Sequence, residues 1–313
     1  MSLPNVVFLD AETLDLESLD TQQLSDIDAC LTLHQNTLPN DIVTRIESAT
    51  AVLVNKVVLS AEVLRQAPKL KYIGVTATGM NNIDLEYCKT NDIKVQNVQA
   101  YGTSSVAQHT LTLLLNLATQ FVHYQHDVKA GAWSESSHFC LLSHPVVELE
   151  RMHAVIVGHG ELGKRVEDLF KAMGMQVTIA GRPGRADDPR PSLSSLLPSA
   201  DVVSLHCPLT QETDKLINAE TLSLMKPNCF LINTARGGLV DEPALLGALK
   251  NKQIGGAGLD VLSVEPPPSD HVLMQANLPN LLITPHNAWV GKRARQTLLD
   301  SAVNHLTQFL AQS

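Results

Sequence analysis

Aromatic side chains are scarce in this 313-residue chain, at 4% of its residues. A surface that stacks the bases of single-stranded nucleic acid needs several of them. Positive charge is also short: 23 lysines and arginines face 32 aspartates and glutamates, a formal net charge of −9. A phosphate backbone requires a basic footprint, so nucleic acid is not an expected partner. The five cysteines (Cys30, Cys88, Cys140, Cys207 and Cys229) include no CxxC pair. Such a scattered, odd set is neither a disulfide framework nor a zinc site, and it suits a reducing cytoplasm. The most apolar helical stretch, LTLLLNLATQF, is too short and too polar to span a bilayer. The opening MSLPNVVFLD has no basic patch and no long apolar stretch before a cleavage site. A cytoplasmic protein with no membrane partner and no metal is the expectation.

What the chain does have is alternation. Short runs rich in Val, Ile and Leu recur between helical patterns: NVVFL, ACLTL, TAVLV, KYIGV and IKVQN in the first hundred residues, then HAVIVG, QVTIAG, DVVSLH, CFLIN, GAGLDV and LLIT. This predicts parallel sheet flanked by helices. Ser60 is placed to cap a helix that ends before Pro68. Between the two series, TSSVAQHTLTLLLNLATQFVHYQHDV reads as one long helix with leucines on a broad face, followed by a loop rich in Ser, His and Pro. The tail from about Ala288 reads as one amphipathic helix. Two α/β units joined by a long helix describe the chain, and the pattern leaves the last helix free to belong to either unit.

VIVGHGELGKRV places Gly158, Gly160 and Gly163 in a G-x-G-x-x-G pattern between an apolar strand and a helix. Gly158 allows a tight turn, Gly160 lets backbone approach a pyrophosphate, and Gly163 lets helix and strand pack closely. The first helical residues, Glu161 and Leu162, then present unsatisfied N–H groups to the phosphates. Dinucleotide binding follows. In NAD sites the next strand ends in an acid that accepts the ribose 2′-hydroxyl. Here QVTIAGRPGR offers Gly181, then Arg182 and Arg185. Loss of the carboxylate removes a repulsion, and a nearby arginine favours a 2′-phosphate. The cofactor choice therefore stays open between NAD(H), NADP(H) and both.

Three polar residues follow three of the strands: Arg236 after CFLIN, Glu265 after GAGLDV and His286 after LLIT. In an open parallel sheet, ligands bind at the carboxyl edge of the strands. A guanidinium can hold a carboxylate in two hydrogen bonds and polarise an adjacent carbonyl. An imidazolium can hand that carbonyl a proton, and a carboxylate behind the imidazole fixes its tautomer and favours its charged form. The chemistry this suits is reduction of a 2-keto acid to a 2-hydroxy acid, and the reverse.

At these residues the sequence resembles the D-2-hydroxyacid dehydrogenase family. NTARGGLVDEPALLGALKNKQIGGAGLDVLSVEPPP and LITPHNAW match two long stretches of that family in order and spacing. ATGMNNID, LHCPLT and TPHNAW most resemble its bacterial glycerate dehydrogenase branch, also called hydroxypyruvate reductases. The resemblance implies Arg236 as substrate-binding arginine, Glu265 as the acid paired with histidine, and His286 as proton donor or acceptor. It implies that backbone around Thr78 and Gly79 takes the substrate carboxylate, with Lys56 as a secondary substrate residue. For the cofactor it adds Asp260 near the carboxamide, Thr234 and Ala235, and Cys207 and Pro208. It further implies a Rossmann-type doubly wound coenzyme domain over residues 101–287, and a smaller flavodoxin-like α/β substrate domain of residues 1–100 completed by the helix of 288–313. Homodimers would form through the coenzyme domain. The expected reaction is reversible hydride transfer between NAD(P)(H) and hydroxypyruvate/D-glycerate or glyoxylate/glycolate. A broad 2-keto acid reductase of the same family and a dinucleotide-sensing corepressor-like binding protein are the alternatives. Gly181 departs from the family's acid, and Gln108 stands where many relatives have Glu; the latter reads as interface packing. Glu265 sets the chain apart from formate-type relatives, which carry glutamine there.

Overall fold

The computed structural model describes residues 3–185 and 187–312. The chain forms two compact units, Met1–Gly102 with Val290–Ser313, and Thr103–Trp289. Each is built on its own all-parallel sheet.

In the first unit five strands, β1 (Asn5–Phe8), β2 (Cys30–Leu33), β3 (Ala51–Val54), β4 (Tyr72–Val75) and β5 (Lys94–Asn97), lie in the order β2-β1-β3-β4-β5. This is the flavodoxin-like order. β3 and β4 are buried at every position, which is why AVLV and YIGV read as unbroken apolar runs rather than alternating ones. β2 lies at the edge and is largely exposed. Val7, Leu9, Val52, Val54, Ile73 and Val75 meet Ile42, Ile46 and Leu64 in one core. Ser60 Oγ accepts from Val63 N, and Asp84 caps the Leu85–Thr90 helix by accepting from Tyr87 N at 2.9 Å. The Lys292–Leu310 helix completes the unit: Leu298, Leu299, Ala302, Val303 and Leu306 are buried. Phe309 stacks on Tyr72 of β4 with ring centroids 4.8 Å apart.

In the second unit six strands follow: β6 (His153–Val157), β7 (Gln176–Ile179), β8 (Val202–Leu205), β9 (Phe230–Asn233), β10 (Gly256–Leu259) and β11 (Leu281–Ile283). They are ordered β11-β10-β9-β8-β6-β7. The direction of winding reverses between β6 and β8, the crevice where doubly wound sheets bind ligands. One face is covered by the Thr103–Thr119 and Glu161–Ala172 helices through Leu113, Leu117, Val166 and Phe170. The other is covered by a cluster that includes Leu197, Leu222, Leu245 and Leu249.

One expected element is two. The single helix anticipated from TSSVAQHTLTLLLNLATQFVHYQHDV divides at Gln120, whose φ is 55° and ψ 31°. Thr119 Oγ1 and Gln120 Nε2 turn back to donate to the carbonyls of Leu115 and Leu117. The apolar stripe that holds the first helix on the sheet ends at Ala118, and no residue of the Phe121–Lys129 helix is buried. The second piece has nothing to keep it in line with the first.

Candidate active site

The glycines after β6 lack side chains for different reasons. Gly158 has a φ of +96°, and a Cβ there would lie 2.5 Å from Cys207 N. The turn after β6 thus runs hard against the loop after β8. At Gly163 a Cβ would lie 2.1 Å from Gly158 O, so helix and turn are in van der Waals contact. Gly160, the N-cap residue of the Glu161–Ala172 helix, has open space where its Cβ would be. Glu161 accepts from Thr103 Oγ1 at 2.8 Å, while Leu162 packs on the core beneath. The N–H groups of the first helical turn stand free of intrahelical partners beside this open space, and that fits a phosphate-bearing dinucleotide.

A cavity of about 950 Å³ opens from this turn, lined in part by Gly158, Ala180, Arg182, Arg190, Cys207 and Pro208. Gly181 closes the end of β7, its N–H donating to Pro191 O at 2.8 Å. Burial pushes the Cys207 thiol up to about 11, which disfavours its thiolate at neutral pH. His206, also lining the cavity, is held neutral by burial, its pKa down to about 3, with Nε2 2.8 Å from Ser204 Oγ. Sequence reasoning missed His206 and the Asp188–Arg190 segment because neither belongs to a recurring pattern.

The three polar residues beyond β9, β10 and β11 are placed as follows. His286 Nδ1 lies 2.6 Å from Glu265 Oε2. A carboxylate oxygen only accepts, so Nδ1 carries the hydrogen and Nε2 is the nitrogen left for proton exchange. The other Glu265 oxygen accepts from Leu262 N at 2.9 Å, so the carboxylate is anchored to its own loop. Both side chains keep solvent access, 29% for His286 and 34% for Glu265. Arg236 is half-buried, with Nη1 donating at 2.7 Å to Ala235 O, so this donor is turned back onto its own loop. The loops nevertheless touch: a Cβ at Gly237 would lie 1.9 Å from the carbonyl carbon of Leu262. Asn233 fixes the turn before Arg236, donating to its carbonyl and accepting from Ala235 N. Thr234 is bridged to Thr110 at 2.9 Å.

His286 itself adopts a φ of 51°, a costly region for a side chain of this kind, on the order of 1–3 kcal/mol. Asp260, 1% exposed, holds it there. Its carboxylate accepts from Asn287 N at 3.0 Å, Ala288 N at 2.9 Å and Thr284 Oγ1 at 2.6 Å. His109, on the Thr103–Thr119 helix, adds a contact to Thr284 Oγ1 at 2.9 Å. One residue earlier on that helix, Gln108 is exposed. A second buried pair steadies the Glu265 loop: Glu242 accepts from Ser263 N at 2.8 Å and lies 3.1 Å from His271 Nε2. Neither brace was anticipated, since nothing in the sequence beside Asp260 or Glu242 marks its carboxylate as the partner of a distant loop.

In the first unit, Thr78 follows β4 and donates from Oγ1 to Val98 O at 3.1 Å, while its carbonyl accepts from Asn97 Nδ2. Gly79 is half-buried beside it. The Asn55–Val57 turn, which carries Lys56, is gathered on buried Asp10, whose oxygens accept from the N–H groups of Asn55, Lys56 and Val57.

A dinucleotide turn and an imidazole–carboxylate pair on one parallel sheet define an oxidoreductase that uses a nicotinamide dinucleotide. More narrowly, the chain belongs to the D-2-hydroxyacid dehydrogenases, for residues 111–288 match the family model described as "D-isomer specific 2-hydroxyacid dehydrogenase, NAD binding domain". It is 39% identical to a glycerate dehydrogenase of Methylorubrum extorquens, over 98% of this chain and 96% of the relative. A hydroxypyruvate reductase of Blautia hydrogenotrophica is 34% identical, over 97% and 96%. Among solved structures, a D-lactate dehydrogenase from Aquifex aeolicus, complexed with NAD and lactic acid, superposes with a TM-score of 0.82 at 30% identity, covering 98% and 96%. No helix among the described residues is long and apolar enough to cross a membrane.

Proposed function

We propose that this enzyme interconverts hydroxypyruvate and D-glycerate, with glyoxylate as a second keto acid, by hydride exchange with NAD(H) or NADP(H). The 2.6 Å contact of His286 with Glu265 carries the reading, because it orients one imidazole nitrogen for proton transfer. Similarity to a glycerate dehydrogenase along nearly the whole chain supports the substrate. The nicotinamide supplies the hydride when bound. His286 Nε2 gives its proton to the keto oxygen during reduction and takes it back during oxidation, while Glu265 stabilises the imidazolium. Arg236 turns its guanidinium from Ala235 O to the substrate carboxylate and polarises the carbonyl beside it. Main-chain N–H groups around Thr78 and Gly79, with Lys56, are the substrate-binding groups proposed for the first unit. Asp260 serves the carboxamide end of the cofactor through the loop it holds. The first unit is thus the substrate domain and the second the coenzyme domain.

The working form is proposed to be a homodimer in the reducing cytoplasm. The segment after the Phe121–Lys129 helix exposes Phe139 at 91% and Leu142 at 89%, beside Trp133 and Val146. A second copy of this chain would cover them. Light scattering should give twice the chain mass, and a doubly charged F139E/L142E variant should run as a monomer.

The deciding experiment is initial rates with hydroxypyruvate, run in parallel with NADH and NADPH. Turnover with hydroxypyruvate above that with glyoxylate and bulkier keto acids is expected. Absence of turnover with every keto acid and both cofactors would overturn the enzyme reading in favour of a dinucleotide-sensing protein.

A further inference from the structure

The acid that usually ends the second strand of the coenzyme sheet is missing here, and the structure shows what stands in its space. The loop beyond Gly181 folds back, so that a Cβ at Gly181 would lie 2.9 Å from Arg190 O. No longer side chain fits there unless that carbonyl moves. The carboxylate that the strand end lacks arrives instead from Asp188, which is 4% exposed.

Asp188 is saturated with donors. Its Oδ2 receives Arg182 N at 3.0 Å, Arg182 Nε at 3.4 Å and Arg190 Nη2 at 2.6 Å. Its Oδ1 receives Arg190 N at 3.1 Å and Arg190 Nε at 2.8 Å. A carboxylate has about four lone-pair sites, so little acceptor capacity remains for a ribose hydroxyl. Arg190 spends its two-pronged edge on this one partner, the geometry it would otherwise offer to a phosphate. Arg182, 73% exposed, is drawn to the same oxygen. Both guanidinium groups line the cavity that begins at Gly158. The Arg190 guanidinium beside Asp188 holds its carboxyl below the usual range.

We propose that Asp188 is a specificity-determining residue, which occupies Arg182 and Arg190 and so withholds them from the 2′-phosphate of NADPH. The inference rests on the reading of this crevice as the adenosine end of a dinucleotide site. It makes the arginines beyond β7 a poor guide to cofactor choice. Arg182 reads as part of a phosphate site in the sequence, yet an internal anion already engages it together with Arg190. Removal of that anion exposes a two-arginine fork.

The test is Asp188→Asn, which keeps the shape and one acceptor oxygen while removing the charge. The NADPH/NADH ratio of kcat/KM should rise about tenfold, the scale expected for removing one unit charge beside a partly exposed phosphate. The gain should lie in KM, and in the double variant D188N/R190Q it should vanish. Calorimetric titration with 2′-AMP and 5′-AMP reads the same site without turnover: 2′-AMP should tighten in D188N and 5′-AMP should move less. Thermal unfolding of each variant shows that it is folded. A ratio that stays put while both cofactors weaken would reduce Asp188 to a loop brace and overturn the proposal. A shift toward NADH would overturn it too, by showing that Asp188 presents the arginines to phosphate. Should wild-type turnover be absent while 2′-AMP still tightens in D188N, the proposed reaction fails and the role of Asp188 stands.

Discussion

Gly160 and Gly163 sit three residues apart, yet the structure predicts opposite consequences for the same added methyl group. At Gly163 the new Cβ would begin 2.1 Å from Gly158 O, and real Cβ atoms stay beyond 3.0 Å. The helix must therefore back away from the turn by about 1 Å, and overpacking of this kind costs about 2 kcal/mol. For a unit of this size that lowers Tm by about 4–8 °C. At Gly160 nothing lies within 4 Å, and its φ of −75° and ψ of −162° are open to alanine. Gly160→Ala should hold Tm or raise it slightly, since alanine narrows the unfolded ensemble by about 0.4–1 kcal/mol. Its methyl would stand where the pyrophosphate approaches, and displacing one charge-assisted hydrogen bond weakens binding by about 1.5–3 kcal/mol, tenfold or more. The assay pairs thermal unfolding of the cofactor-free variants with fluorescence titration by NADH. Gly163→Ala should lose stability and affinity together; Gly160→Ala should lose affinity alone. Wild-type NADH affinity in Gly160→Ala would refute the assignment of this turn to the phosphates, and a wild-type Tm in Gly163→Ala would refute the packing argument.

Replacing His286 by alanine should lower kcat for hydroxypyruvate reduction by about 10²–10⁴, the usual worth of a general acid, while NADH still titrates normally; near-wild-type turnover would remove it from the mechanism. Glu265→Gln should lower kcat with little effect on NADH affinity, since its anchor to Leu262 N survives in an amide oxygen; an unchanged kcat would make the carboxylate a bystander. Asp201 ties β6 to the segment before β9, accepting from His153 N at 2.9 Å and Lys226 Nζ at 2.8 Å. Burial opposes its ionisation, but these donors prevail and its folded pKa lies below the ordinary value. The stability it contributes is therefore present above about pH 4 and is lost as pH falls through the folded pKa. Asp201→Asn should cost about 1–2 kcal/mol at neutral pH, with the gap to wild type closing in acid unfolding below about pH 4; a gap that stays constant with pH would refute the ionic account.

Much of this was legible in the sequence because the signals are local and periodic. The central strands β3, β4, β8 and β9 fell on apolar runs, since both of their faces are covered and no alternation is needed. The glycine turn carries its spacing openly, and Glu265 and His286 stood out because each follows a strand of one sheet. What escaped notice is held by contacts distant in sequence. Asp10 gathers the turn of Lys56, Asp260 holds the His286 loop, and Glu242 reaches Ser263 and His271. Nothing in a window of neighbours marks such a carboxylate as a hub. Asp188 misled in a subtler way: Arg182 was visible as a cation, but its partner lies across a turn. The break at Gln120 was hidden because FVHYQHDV keeps helical propensity after the surface that steadies the helix has ended.

The Lys292–Leu310 helix has a consequence for the order in which the protein is made. The strands of the first unit leave the ribosome early, but the side chains that cover β4 come after the whole second unit has been synthesised. Tyr72 is fully buried in the finished protein against Phe309, and Arg295 binds Leu14 O and Asp15. During translation the second unit can close while the first still shows one apolar face to the cell. A nascent chain of this design is most open to aggregation, and to capture by chaperones, in the interval between its seventy-second residue and its three hundred and ninth.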